Sequence, residues 1–254
     1  MIIDTHIHLD DTRYSEDLDE VLSRANRANV SKFIIPGADP KTLLHAIELS
    51  EKYKNIFFSV GVHPYDASNY DEEFLIKHIN HPKCVAVGEC GLDYFRLEGS
   101  DDEKKSEKEL QAKVFISQIN LAKEYSKPLI VHIRDASNDS KEILLKHENF
   151  GGVLHCYNAD EQLLTLANHN FYFGVGGVAT FKNAKKLIQV LPLIPKDKLL
   201  IETDGPYLTP HPHRGERNEP AYCSLITEKI SEVLNIELKE VEDTTTKNAL
   251  KLFW

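Results

Sequence analysis

Eight short apolar runs, separated by longer stretches whose apolar residues recur at helical spacing, limit most strongly what this chain can fold into. The runs fall at residues 2–5, 32–36, 56–62, 84–88, 128–132, 152–155, 171–175 and 199–202. Between them the period changes, as in Leu110, Val114, Ile119 and Ala122 ahead of the Lys127-Pro128 stop. Strands alternating with helices read as parallel βαβ units. Eight units in 254 residues predict a single TIM-like (β/α)8 barrel domain over residues 1–254, class α/β, although a doubly wound open sheet has the same local pattern. Periodicity alone leaves both open. The charged run 98–105 reads as a solvated loop and helix start, with a mobile flap as the other reading. Residues 206–220, rich in Pro, His, Arg and Asn, read as a long and functional loop.

Composition narrows the function classes. With 41% hydrophobic and 28% charged residues, and no apolar stretch near the roughly 18 residues of a membrane helix, a soluble protein is expected. The start, Met1-Ile2-Ile3-Asp4, lacks the features of a secretory signal, so a cytoplasmic location is expected. Cys84, Cys90, Cys156 and Cys223 form no C-x-x-C pair and read as reduced, buried residues, with Cys90 and Cys156 facing away from their neighbours Glu89 and His155. A net charge of −10 opposes a nonspecific grip on duplex nucleic acid, which relies on Lys and Arg against phosphate. A phosphate substrate stays possible, because bound divalent cations supply local positive charge.

The chemistry-bearing residues sit where the apolar runs end. His6 and His8 are two apart after the first run, so strand alternation points both the same way. Alone, H-x-H is as readily an ordinary polar pair. Glu89, His132, His155 and Asp204 then follow four further runs. Ionisable groups repeated at strand ends are costly unless paired or coordinated, and a barrel gathers those ends at one mouth. A metal site and a metal-free network of His and acids are the two explanations, and the set as a whole favours metal. Four imidazoles and two carboxylates exceed one tetrahedral site but suit two divalent ions, with Glu89, central in strand order, as the bridge. Such a pair activates a water, and the chemistry implied is hydrolysis. Glu202, two residues before Asp204, reads as a residue that orients ligands from behind. No Gly-rich phosphate loop or serine or cysteine nucleophile stands out.

The ordered motifs Ile3-Asp4-Thr5-His6-Ile7-His8, Val60-Gly61-Val62-His63-Pro64, Val87-Gly88-Glu89-Cys90-Gly91-Leu92-Asp93-Tyr94, Leu129-Ile130-Val131-His132, Leu154-His155-Cys156, residues 200–208 and Arg217-Asn218-Glu219-Pro220 resemble the TatD family of metal-dependent deoxyribonucleases in the amidohydrolase superfamily. The resemblance implies that His6, His8, Glu89 and Asp204 hold one ion and that Glu89, His132 and His155 hold the other. It also implies Asp204 as general base and a magnesium-supported, 3′-to-5′ exonuclease-like action on DNA ends. Glu89 stands where many other amidohydrolases carry a carboxylated lysine, which favours the nuclease branch. His155-Cys156-Tyr157-Asn158-Ala159 departs from the family's His-Cys-Phe-Ser-Gly, so recognition beside the sixth strand is expected to differ.

For substrate contact the candidates are His63 at the end of the third run, Arg214 and Arg217 for phosphate, and Tyr94 for stacking on a base. Each has a structural alternative: His63 orients a ligand, the arginines pair with Glu216 or Glu219, and Tyr94 packs. Mixed His and carboxylate ligation accepts Zn, Mn or, less readily, Mg. DNA, single-stranded or at an end, is the expected partner, with no membrane and no obligate protein partner. Two other functions compete: hydrolysis of a small amide, ester or phosphate ester, and a non-catalytic protein that keeps metal only for stability.

Overall fold

Each of the eight apolar runs forms a strand in the computed structural model, which describes residues 1–147 and 149–254. The strands are β1 (Ile2–Asp4), β2 (Val30–Ile35), β3 (Ile56–Val60), β4 (Cys84–Asp93), β5 (Leu129–Arg134), β6 (Gly152–Leu154), β7 (Phe171–Val175) and β8 (Leu199–Ile201). All pair in parallel, in chain order. The β8–β1 seam is bridged where Thr5 N donates to Ile201 O at 3.1 Å and Asp204 N to His6 O at 2.9 Å. These bonds settle the choice that periodicity left open, in favour of a (β/α)8 barrel. The crossovers carry α1 (Leu18–Arg27), α2 (Pro40–Lys52), α3 (Glu72–Ile79), α4 (Asp101–Glu124), α5 (Ser137–Lys146) and α6 (Lys185–Val190), with α7 (Cys223–Leu234) and α8 (Leu238–Phe253) after β8. The β6–β7 crossover is a 3-10 helix, Glu161–His169. Among the described residues no helix is long and apolar enough to cross a membrane.

Two apolar layers hold the barrel. Ile3, Ile34, Ala86, Ile130, Val153, Tyr172 and Leu200, drawn from seven strands, pack with Ala249 and Phe253 of α8 into one buried cluster. The larger cluster joins the other strand faces to the helices, including Phe33, Phe58, Phe115, Phe171 and Phe173. Burying such side chains contributes about 1.5–3 kcal/mol each relative to exposure, before the entropy of ordering them. The charged run 98–105 is an exposed to half-exposed turn and helix start: Ser100 caps α4 in a capping box with Glu103.

Two buried glutamines on α4 tie this helix to the mouth of the barrel. Gln118 accepts from Val62 N at 2.8 Å and donates to Val62 O at 3.0 Å, and Gln111 does the same with Asp93 at 2.9 and 3.1 Å. Seven residues apart, they share one helix face. Each satisfies buried backbone beside a residue of the site described next, His63 or Asp93.

Candidate metal centre

β4 is longer than its apolar run, and its irregularity aims the central carboxylate. Val87 pairs with Leu129 and Cys90 with Val131, so Gly88 and Glu89 together oppose Ile130 alone. That is a β-bulge, which redirects a side chain out of strand alternation. Gly88 takes φ +145 there, and a Cβ would collide with Ile130 O. Glu89 is buried, and its two oxygens divide the surrounding imidazoles. Oε1 lies 3.0 Å from His132 Nδ1, 3.2 Å from His155 Nε2 and 3.7 Å from His63 Nε2. Oε2 lies 3.3 Å from His6 Nε2 and 4.0 Å from His8 Nε2. Asp204 Oδ1 completes the second group, 3.8 Å from His6 Nε2 and 3.6 Å from His8 Nε2.

The elements reach this arrangement by different routes. β1 ends at Asp4, so His6 and His8 are not on a regular strand as expected. They share a side because Ile7 between them bridges to Gly205 and is fully buried. Asp4, also buried, accepts from Thr203 N at 3.0 Å, Thr203 Oγ1 at 2.6 Å and His6 N at 3.3 Å. It thereby fixes the His6 segment against the Asp204 segment, and burial pushes its carboxyl up to about 7. Asp204 itself is left-handed, φ 56.

A second set of acids holds the imidazoles from behind. Asp93 Oδ2 is 2.8 Å from His132 Nε2, which leaves Nδ1 toward Glu89. Glu202 Oε1 is 3.3 Å from His155 Nδ1 and accepts from Cys156 N at 2.5 Å. Gly174 is needed beside Glu202 because a Cβ there would strike Glu202 Oε2.

Burial works against charge on every member of the site; opposite charges outweigh it at His155, Glu89 and Asp204, and it prevails at His6 and His63. Burial opposes protonation of His155, but Glu89 and Glu202 raise its pKa well above the usual imidazole value. Glu89 is the converse: burial resists its charge, yet His155, His6 and His63 hold it well below the carboxylate range. His63 is pulled down to about 4, mainly by burial. It is neutral at pH 7, and its Nδ1 accepts from Tyr65 N at 3.1 Å, which leaves the ring hydrogen on Nε2, facing Glu89.

The residues fit cations. His6 Nδ1 and Nε2 are buried without a hydrogen-bond partner among the described residues. Such orphans cost about 1–3 kcal/mol each unless something binds them. The triads His6, His8, Glu89 and Glu89, His132, His155 each bring ligand atoms within 4.8 Å of one another. His63, Asp93 and His132 form a third such group, and Asp93 was missed as a site residue because it lies past the predicted end of the fourth run.

Other expectations are corrected. Cys156 does not face away; it takes φ 43 and lines the cavity at the mouth. Burial pushes its thiol up to about 12, so it is no thiolate nucleophile. Cys90 is buried beside the bulge as expected. Arg217 does not reach the cavity: it clamps Asp17 through two bonds of 2.7 Å, a partner that the sequence did not suggest. Arg214 donates to Thr209 O at 2.8 Å and stacks on Phe181, pairing with neither glutamate. Tyr94 donates to Asp139 at 2.8 Å under Lys108, outside the mouth cavity.

A model of the family described as TatD related DNase matches residues 3–254. The chain belongs to the TatD family. An uncharacterized metal-dependent hydrolase of Bacillus subtilis, YabD, is 44% identical over 259 residues, covering 100% of this chain and 99% of the relative. A TatD protein of Escherichia fergusonii, named a 3′-5′ ssDNA/RNA exonuclease, is 32% identical across 99% of this chain and 98% of its own length. The crystal structure of the TatD homolog YJJV from Escherichia coli K12 superposes with a TM-score of 0.90 at 29% identity, over 99% of this chain and 97% of that one. TatD membership makes the protein a metal-dependent hydrolase.

Proposed function

We propose that this TatD protein hydrolyses phosphodiester bonds at the ends of nucleic-acid strands, using two divalent ions bridged by Glu89. The observation that carries the reading is the division of imidazoles between the two Glu89 oxygens, two groups of nitrogen ligands meeting on one carboxylate. His6, His8 and Asp204 would hold one ion, and His132 and His155 the other. Divalent ions held by these residues would supply a lowered water pKa and stabilisation of charge on the leaving oxygen. Asp204 takes the proton of the attacking water through its carboxylate. His63 Nε2–H donates to a phosphate oxygen. Glu202 and Asp93 keep His155 and His132 in the tautomers that present a lone pair to the centre. The exonuclease named among the relatives supports the substrate class. The imidazole-rich set suits Mn²⁺ or Zn²⁺ better than Mg²⁺.

Replacing Asp204 with Asn tests this. Metal-dependent release of nucleotides from single-stranded DNA is expected to fall by at least about a thousandfold, the scale of losing a group that acts only in the transition state, while circular dichroism is unchanged. Undiminished nucleotide release would refute the mechanism. Wild-type turnover of small esters but not oligonucleotides would redirect it to the other hydrolase reading.

A further inference from the structure

The cavity that opens from the metal centre, about 580 Å³, is lined by His132, His155 and Asp204 and also by Arg96, Arg134 and Lys186. Three of the other five arginines are neutralised by carboxylates, while Arg27 donates to Ser23 and Arg214 to Thr209 O, both away from the metal centre. Arg13 pairs with Asp11, Arg24 with Glu219 and Arg217 with Asp17, each at 2.7 Å. Arg96 and Arg134 instead lie over aromatic rings. The Arg134 guanidinium is 3.6 Å from the Phe95 ring centroid, and that of Arg96 is 5.3 Å from the Tyr65 centroid. Stacking occupies a face of the guanidinium and leaves its in-plane N–H groups free for a phosphate. Neither ring is in the cavity lining, but Phe95 is 56% exposed, Tyr65 is 37% exposed and the Tyr65 ring lies 4.9 Å from that of His63, so ring surface remains for a base beside the centre. On a chain of net charge −10, two stacked arginines without carboxylate partners among the described residues, beside a cation-binding centre, form a local anion site.

We propose that Arg96 and Arg134, with Phe95 and Tyr65, form the subsite that grips the phosphate and base next to the bond being cut in a single-stranded nucleic acid. The inference rests on the phosphodiesterase reading for its chemistry, but it makes a claim about binding that can be tested alone. Arg134, Asn158 and Lys186 also line a second cavity of about 560 Å³, so the cleft continues past Arg134. That second cavity sets Asp135, Asp139 and Asp160 against Lys108, Arg134 and Lys186, so it holds no excess of positive charge for further phosphates. The grip is therefore short, confined to the nucleotides beside the metal centre. An unpaired strand is required because a base must leave its neighbours to stack on a side chain.

The test is fluorescence anisotropy with a labelled oligothymidylate whose linkages are phosphorothioate, so that binding is read without cleavage. The Arg96→Ala/Arg134→Ala double variant is expected to bind at least about tenfold more weakly. Its plot of log affinity against log salt should be flatter by about 1 to 2, the count of lost phosphate contacts. Phe95→Ala should lose roughly tenfold with the salt slope unchanged, as a stacking contact does. Arg27→Ala removes the same charge as Arg96→Ala alone, from the far end of α1, where Arg27 donates to Ser23, and should bind as wild type does. Arg96→Ala alone, at an exposed position, serves if the double variant melts early. No binding by the wild type, or equal binding by the arginine variants, overturns the subsite. Binding with these dependences but no metal-dependent cleavage leaves the subsite standing and removes the phosphodiesterase reading. Cleavage of a trinucleotide by the double variant at the wild-type KM does the reverse.

Discussion

Glu89 gathers the imidazoles around it because one extra residue in β4 turns it inward. Its neighbours depend on acids that touch no substrate in the proposed mechanism. Asp93 holds His132 at 2.8 Å and Glu202 holds His155 at 3.3 Å, each leaving the opposite ring nitrogen toward Glu89. Groups in this position typically alter metal affinity by 10–100-fold. Asp93→Asn and Glu202→Gln are therefore each expected to weaken metal binding by about one to two orders of magnitude, measured by calorimetric titration of the metal-free protein. Metal affinity within a factor of two of wild type would show that the imidazoles are oriented by the backbone alone.

At the scale of elements, α4 and the loop 206–220 support the mouth from opposite sides of the sequence. Gln118 satisfies both the N–H and the C=O of buried Val62, one residue before His63. Gln118→Ala strands both groups, so a loss of about 2–4 kcal/mol is expected in denaturant unfolding, with reduced turnover because His63 loses its anchor. A change under about 0.5 kcal/mol would mean that water replaces the amide. The loop is fastened by Arg217 to Asp17, and Arg24 pairs with both Asp17 and Glu219. The Arg217 hydrogen bonds are the largest influence on the Asp17 carboxyl, which lies below its ordinary value of 3.8. A depressed carboxyl stabilises the fold above its unfolded pKa, and the contribution is lost as pH falls through the folded one. Wild type should thus melt above Asp17→Asn at pH 7, and the gap should close below pH 3.8. A gap that is constant with pH would assign the difference to packing.

For the whole molecule, six ionisable side chains are gathered at one end of the barrel, where charge is costly without cations. Cations that bind the folded chain alone stabilise it, by about 2.7 kcal/mol at a hundredfold excess over Kd. Chelation is accordingly expected to lower the melting temperature in scanning calorimetry by several degrees, with recovery on adding Mn²⁺ or Zn²⁺. An unchanged melting temperature would mean that the histidines and acids satisfy one another without metal. A drop in melting temperature from a protein that never showed turnover would instead favour the metal-stabilised binding protein.

The alternation of apolar runs determined the strands and their parallel pairing, because period and crossover length are properties of the local chain, whereas closure into a barrel was decided by the β8–β1 bonds. Residue type at the strand ends likewise brought out His6, His8, Glu89, His132, His155 and Asp204, since imidazole and carboxylate are costly in a core. What the sequence left open depended on partners distant along the chain. Arg217 was expected at phosphate and lies on Asp17, 200 positions away. Cys156 was expected to point outward by alternation, and a left-handed turn holds it in the cavity. Arg96 and Arg134 carried no motif; their opening onto the cavity is visible only where β4 and β5 end side by side. The division of ligands between the two oxygens of Glu89 rests on a bulge whose register is set by β5. Pairing across strands decided it, because no periodicity within β4 encodes which residue its neighbour will skip.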